Sequence, residues 1–500
     1  MNLRLSLLVL AYTFPASLFA QKAFPPGAEM KWSIASLRTT SKSKESTIGY
    51  MLDPRAWMVQ VGENEVALAQ DLYDLKTGVC KVNQDGRVLW STPVDGRLMH
   101  LSRLGEHILA FYFPPKKGNE YDRELKAMLI DARSGRILRE NSIVKSGEES
   151  NLLDLQVLKD DEGVFQALIV RETEANKIRR FQWEDINNTS KIEALNLDAN
   201  LAISGRTELA FPGLKQSELL HIHQAKSGKF ILGFFAGDQL VAYRYTSSGA
   251  ADGRLVLTLP DAKAGRSASC LIRKGADDEQ LLASANYGSV TREANLLISR
   301  FDFRAMKASY SVQELNRAFS DQLHPTPVSF SVSSPKLHKN IGSLLPEGLF
   351  EKGDTLFALS EIYYSTGDGY RSSSVTDAAV LQAFDKSLRP IGAVALGKYF
   401  TPPQALGGST GWKRYGNQLY LTGTVVDGAI STKNYFASVD LEKLSVASPQ
   451  ALERSGVKSY AAINGARTIF FPKSMLLVFV EAMGLTGAKT STWFQKVDLP

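Results

Sequence analysis

One pattern recurs along most of this chain and leaves few folds open to it. A small polar turn is followed by a strongly apolar, β-rich run: "GENEVALAQ" from Gly62, "GEHILAFYF" from Gly105, "EGVFQALIV" from Glu162 and "GKFILGFFA" from Gly228. It returns as "DDEQLLASA" from Asp277, "GDTLFALSE" from Gly353, "GNQLYLTGT" from Gly416 and "PKSMLLVFV" from Pro472. The occurrences are spaced about 40–75 residues apart, the range in which a repeat means a solenoid, a propeller or an array. A short alternating strand precedes each run, such as "AWMVQV" or "LLHIHQA". Behind it come a connection of varying length, a third strand such as "KAMLIDA" or "NLLISRFDF", a tight polar turn, and a fourth strand such as "RVLWSTPV". Period-two alternation bounded by Gly, Asp, Asn and Ser clusters is the signature of strands and hairpins. A 3.6-residue period is confined to a possible short helix around Val312–Phe319.

Four antiparallel strands repeated eight times with no helical layer predict an all-β chain, an eight-bladed β-propeller. A pair of β-sandwich domains is the competing arrangement, and the regular four-strand unit speaks against it. The last repeat supplies three strands, while "MKWSIASL" from Met30 stands alone ahead of the first. The N-terminal strand is therefore expected to complete the last blade and close the ring, removing open sheet edges. A seven-bladed count follows instead if the sixth repeat, preceded by the insertion 316–343, is one unit split in two.

Two turns, "VNQDGRVLW" ending at Trp90 and "IDARSGRIL" from Ile130, resemble the quinoprotein-type propeller repeat. There a D-x-x-(T/S)-G turn leads into a strand with a docking Trp. The resemblance covers two blades and implies the architecture; it calls for no quinone, and no cofactor is expected.

The N-terminus reads as a signal peptide over 1–20: "MNLR" is positive, "LSLLVLAYTF" apolar, and "PASLFA" ends at Ala20. The apolar run is too short to span a bilayer, and no later one is long enough. The expected product is a single exported domain, 21–500, secreted or periplasmic and monomeric. A net charge of +6 comes from 58 basic and 52 acidic residues without any Lys/Arg block, which disfavours nucleic acid as a partner. The two cysteines, Cys80 and Cys270, lie in separate strand-like segments and are expected as separate buried thiols.

With strands lettered A to D from the axis outward, the A–B and C–D turns share one face, and the B–C and D–A connections share the other. The long connections belong mostly to the second kind. They include "FPPKKGNEYDRE" from Phe113, "YYSTGDGYRSSSVTD" from Tyr363, "DANLAISGRTELAFPGLKQS" from Asp198 and "KYFTPPQALGGS" from Lys398. Loops on a rigid scaffold are where binding sites are built. Gly407-Gly408-Ser409-Thr410-Gly411 spells G-x-S-x-G, but a nucleophile elbow needs a strand before it and a helix after it. Here a Pro-rich connection precedes and a strand follows, so Ser409 reads as part of a linker.

The aromatic and basic residues of the loops are the candidate ligand-binding set: Tyr363, Tyr364, Tyr370 and Arg371 around one connection, and Trp412, Arg414 and Tyr415 opening the seventh repeat. Tyr, Trp and Arg carry much of the energy of recognition surfaces, and aromatic faces suit sugar rings. The competing role for Trp412 and Tyr415 is packing between blades. His221 and His223 form H-x-H on an A strand, which puts both on one face; with His100 on another A strand they are the weak metal candidates. Against these stands a polar hydrogen-bonded pair. Paired carboxylates such as Asp160/Asp161 and Asp277/Asp278 fall in A–B turns and read as solvated. The sequence thus favours a non-catalytic binding propeller with a protein or glycan partner on its loop-rich face. The alternatives are a hydrolase or lyase acting on polysaccharide or peptide at the channel mouth, and a structural envelope component.

Overall fold

The computed structural model describes residues 30–32, 58–71, 77–116, 120–121, 124–144, 152–161, 164–172, 190–209, 217–260, 269–288, 294–323, 326–327, 344–366, 373–400, 410–427, 431–447, 449–452, 462–463, 468–483 and 489–499. Every one of the eight apolar runs is a strand, and each is the second strand of its own antiparallel sheet. Blade one consists of Met58–Gly62, Glu65–Asp71, Thr77–Asn83 and Val88–Val94, strands A to D. The same order recurs in blade two (Arg97–Leu104 to Ile137–Val144), blade three (Leu152–Asp161 to Ile203–Leu209), blade four (Ser217–Gln224 to Ala251–Thr258) and blade five (Ser269–Lys274 to Lys307–Glu314). Blade six runs from Leu344–Lys352 to Pro390–Phe400, and blade seven from Gly411–Tyr415 to an outer strand in two pieces, Ser445–Val446 and Gln450–Leu452.

Burial follows the pleat. The B and C strands are almost continuously buried, as in His107–Phe113 and Ala294–Asp302, because each blade is covered on both faces by its neighbours. Outer strands alternate, as in Lys307–Glu314.

Eight apolar clusters organise the interior, and each joins two consecutive sheets. The last of them packs Ile469, Phe471 and Leu476 of blade eight on Val66, Cys80 and Val82 of blade one. The sheets therefore form a closed ring, an eight-bladed β-propeller. Blade eight contains Ser474–Met483 and Lys489–Asp498, with its inner strand in two pieces, Ala462–Ile463 and Ile469–Phe470. Its fourth strand is Met30–Trp32, antiparallel to Lys489–Asp498 with Met30 opposite Phe494, Lys31 opposite Trp493 and Trp32 opposite Thr492. The N-terminal strand closes the last blade, as the orphan segment implied. The sixth repeat is a full sheet, which removes the seven-bladed count.

The C–D turns carry a common device that only partly shows in the sequence. A polar side chain at the end of strand C accepts from backbone N–H groups of its own turn, as Asx-turn chemistry allows. Asn83 bonds Arg87, Asp131 bonds Ser134, Asp198 bonds Ala202 and Thr246 bonds Ala250; Asp302, Asp385 and Asp440 do the same. Three or four residues later one residue takes left-handed φ: Gly86, Gly135, Leu201, Gly249, Met306, Leu388 and Leu444, between 47° and 88°. Four of the seven are not glycine, although L-residues pay about 1–2 kcal/mol there. Leu201 and Leu388 are nearly inaccessible and belong to the clusters at their seams; burial offsets the strain.

Two expectations are corrected, the first by this turn. The segment from Asp198, expected as a long D–A connection, is the C–D turn of blade three followed by its outer strand Ile203–Leu209. With Leu201 in the left-handed position, no Gly or Asn-Gly marks the turn. Val312 lies in the outer strand of blade five, and the helix is Arg317–Gln322, capped by the Asn316 side chain accepting from the Phe319 N–H at 3.0 Å. Phe319 and Leu323 cover the seam between blades five and six, and Thr326–Pro327 adds a parallel fifth strand to blade six beside Leu396 and Gly397. Cys80 is buried and Cys270 only half-buried, and the two are not joined in a disulfide. Among the described residues no helix is long and apolar enough to cross a membrane.

Candidate functional site

The two faces of the ring are built differently. Connections on the A–B and C–D face are two to five residues long, and their turns are tied to neighbouring blades. At four seams the carbonyl that opens the C–D turn accepts an N–H from the preceding blade: Trp90 to Ala132 (3.1 Å), Arg139 to Ala199, Arg244 to Phe303 (2.9 Å) and Arg300 to Lys386 (3.0 Å). Ion pairs reinforce them, Arg244 with Glu279 and Arg300 with Glu351, both at 2.7 Å. Lys496, two residues before the end of strand C in blade eight, reaches Asp85 of blade one at 3.1 Å. It is placed as Arg244 and Arg300 are, so the closing seam carries an ion pair as the seams after blades four and five do.

On the opposite face the connections range from the two residues between Val94 and Arg97 to the stretch 315–343. Blade six adds a feature there. Its B and C strands, Thr355–Thr366 and Ser373–Phe384, are twelve residues each. Strand A pairs only as far as Ile362, while the B–C ladder continues through Tyr363 opposite Thr376, Tyr364 opposite Val375, Ser365 opposite Ser374 and Thr366 opposite Ser373. The stretch expected as a loop from Tyr363 thus begins and ends in paired strand, an arm that is two-stranded from Tyr364 and Val375 outward. Its β-branched and aromatic residues favour extended pairing. Tyr363 and Tyr364 sit at consecutive positions on the arm; Tyr370 and Arg371 lie outside the described residues.

The other candidate aromatics are taken up by neighbouring blades. Trp412 donates its indole N–H to the Glu347 carbonyl at 3.2 Å and stacks on Phe350, centroids 5.7 Å apart. A Cβ on Gly348 would come within 2.5 Å of the Trp412 ring, so the ring is seated against bare backbone. Arg414 donates to the Glu351 carbonyl at 2.6 Å, with its guanidinium 5.5 Å from the centre of Phe350. The Tyr415 hydroxyl donates to the Phe471 carbonyl of blade eight at 2.8 Å, and burial pushes its pKa up to about 12. These three side chains tie blade seven to both neighbours.

His221 and His223 do share a face. His221 Nε2 lies 3.2 Å from His223 Nδ1, and His223 Nε2 lies 2.7 Å from the Asp278 carbonyl of blade five. A carbonyl only accepts, so His223 carries its proton on Nε2, and its bare Nδ1 accepts from His221. Burial, which outweighs the Asp278 carbonyl, lowers the His223 pKa. His100 is on blade two, with blade three between. Among the described residues no group of three His, Cys, Asp or Glu side chains is placed to hold a metal ion.

Ser409 lies outside the described residues, but strand Gly411–Tyr415 follows it. Thr410 is buried, its N–H donating to Glu361 Oε1 at 2.8 Å and its hydroxyl to the same oxygen. Of the paired carboxylates, Asp277 and Asp278 are engaged by Arg304 and Lys274.

No protein-family profile matches the sequence, and no curated protein matches it. Solved structures align over most of the chain at low identity. The WD40 domain of SCAP from fission yeast is 8% identical, with 89% of this chain and 97% of that one covered and a TM-score of 0.41. BamB from Moraxella catarrhalis is 13% identical over 93% and 100%, TM-score 0.35. Polysaccharide lyase Uly1 is 8% identical over 80% and 89%, TM-score 0.40. The propeller assignment rests on the ring of sheets and seams described above.

Proposed function

We propose that the protein is an exported binding propeller that takes a protein or glycan partner on the face bearing the B–C and D–A connections. The asymmetry of the two faces carries this reading. One end of the ring commits its turns to holding blades together; the other varies from blade to blade and raises the blade-six arm. The arm, with Tyr363, Tyr364, Tyr370 and Arg371, is the proposed contact surface. Trp412, Arg414 and Tyr415 fix the adjacent blade seven to its neighbours. Export rests on the N-terminal segment ending at Ala20, and N-terminal sequencing of protein recovered outside the cytoplasm tests it.

The binding test is a glycan array and a proteomic pull-down with the mature protein, repeated with Tyr364→Ala and Arg371→Ala. Saturable binding lost in both variants supports the arm. Binding retained by both places the site elsewhere, and turnover of a polysaccharide or peptide replaces the binding role with a catalytic one.

A further inference from the structure

In blades one, two, three, four and six the ladder between strand C and the outer strand skips the second residue of the outer strand: Leu89, Leu138, Ser204, Asp252 and Ile391 in turn. A bulge of this kind leaves its extra residue unpaired and re-aims the side chain. The position lies on the rim of the ring, beside the tight C–D turn. Blades three and four fill it with polar groups that are bonded in place. The Ser204 hydroxyl donates to the Asn196 carbonyl at 3.2 Å, and Asp252 pairs with Arg244 at 2.6 Å and Lys229 at 3.4 Å. Blades one and two put leucine there. Leu89 is 41% exposed and Leu138 40%, and Ile137 beside Leu138 is 41% exposed. A single leucine in water is ordinary; this group gains its meaning from what surrounds it.

Arginines flank these apolar side chains. Arg87 stands two residues before Leu89, Arg133 and Arg136 lie in the turn ahead of Ile137, and Arg139 follows Leu138; all four are exposed. The two segments form one surface, because the Trp90 ring lies against Gly135, between Arg133 and Arg136, and donates its N–H to the Ala132 carbonyl at 3.1 Å. The carboxylates of both segments are engaged elsewhere. Asp85 pairs with Lys496 at 3.1 Å and Glu140 with Lys126 at 3.3 Å, while Asp131 accepts from the Ser134 N–H and hydroxyl, both at 2.6 Å. Among the described residues none of the four arginines has an ion-pair partner; Arg139 donates to the Ala199 carbonyl alone. Elsewhere on this face arginines are matched: Arg244 with Glu279, Arg300 with Glu351, Arg304 with Asp277 and Arg389 with Asp385. Ile391, the third apolar bulge residue, stands near that last pair.

Unmatched arginines alternating with exposed aliphatic side chains suit a partner that is negative at its surface and apolar just beneath. Binding at a lipid interface draws on both terms, buried apolar area and attraction to anionic headgroups, and arginine adds an apolar stem below its charge. A soluble polyanion would engage the arginines and leave Leu89, Ile137 and Leu138 in water. We propose that the rim of blades one and two is a contact site for an anionic phospholipid surface. The three aliphatic side chains enter the headgroup boundary, and Arg87, Arg133, Arg136 and Arg139 meet the phosphates. This rim lies on the side of the tight turns, away from the arm, so it stands or falls separately from the binding role proposed above.

The test is sedimentation of the mature protein, residues 21–500, with phosphatidylcholine vesicles that contain or lack phosphatidylglycerol. Saturable binding to the anionic vesicles is expected, weakened by added salt. Each arginine near such a surface contributes about fivefold in partitioning, so Arg133→Gln/Arg136→Gln should weaken binding about twenty-five-fold. Leu89→Ser/Leu138→Ser, which copies the Ser204 of blade three at both bulges, should weaken it about tenfold. All four side chains are exposed, so both variants are expected to fold, and thermal melts matched to the parent check this. No preference for anionic vesicles, or binding unchanged in the folded arginine variant, overturns the site. Binding lost with the arginines but unchanged in the leucine variant overturns the lipid assignment in favour of a soluble polyanion such as dextran sulfate. Tyr364→Ala, in the arm, should leave vesicle binding intact; a loss there overturns the placement on this rim.

Discussion

Left-handed residues in the C–D turns give a prediction in which the same change at equivalent positions has different consequences. Leu388 and Met306 both hold positive φ, 63° and 49°. Leu388 is 1% exposed within the seam between blades five and six, whereas Met306 is 47% exposed. Replacing either by glycine relieves about 1–2 kcal/mol of backbone strain and costs about 0.4–1 kcal/mol through the looser unfolded chain. Losing a buried leucine side chain adds a cost of about 2–5 kcal/mol. Half-exposed Met306 forfeits about 1 kcal/mol or less, a fraction of the value for full burial. Leu388→Gly is therefore expected to destabilise by about 2–4 kcal/mol, and Met306→Gly to stay within about 1 kcal/mol of the parent. Guanidinium unfolding with matched m-values measures the difference. Equal losses at the two positions would refute the argument that burial at the seam offsets strain in the turn.

Gly135→Ala is expected to destabilise by more than about 1 kcal/mol, since φ is +75° and the new Cβ would lie 2.7 Å from the Trp90 ring; a thermal melt unchanged from the parent contradicts the docking. Acid stability should depend on His223. Its folded pKa lies below the ordinary 6.5, so the folded state prefers neutral imidazole, and stability complete above pH about 6.5 declines as pH falls toward the folded value. Lys274 and Asp278 are the charged groups that act on it. His223→Gln should flatten that slope in unfolding measured between pH 7 and 5, and an identical slope removes the assignment. Burial drives the Cys80 thiol pKa well up, so a thiol reagent should modify the half-buried Cys270 in the native protein and Cys80 only after unfolding; native labelling of both sites would show the seam between blades eight and one to be open.

Architecture was legible wherever alternation and turn chemistry agreed. The apolar B strands stand out because burial on both faces makes them continuous hydrophobic runs, and the orphan strand at Met30 could be matched to the short last repeat. Turns without glycine were opaque. Leu201 occupies a position where a sequence reading looks for Gly or Asn, so a whole outer strand, Ile203–Leu209, passed for connection. The arm of blade six was hidden by the Gly/Ser-rich sequence between its two strands, although the β-branched and aromatic residues on either side carried the signal. The candidate aromatics show the limit most clearly. Trp412 and Tyr415 look alike in sequence whether they face a ligand or a neighbouring blade, and only the Glu347 and Phe471 carbonyls reveal that they bridge seams.

The closed ring is tested most directly by zero-length carbodiimide cross-linking of the native protein, followed by peptide mass spectrometry. Lys496 and Asp85 are far apart in sequence and 3.1 Å apart in space, so an amide between them is expected, abolished by Asp85→Asn. Links within single blades, such as Lys81 to Glu65 at 3.0 Å, appearing without the Lys496–Asp85 link would contradict closure between the last blade and the first.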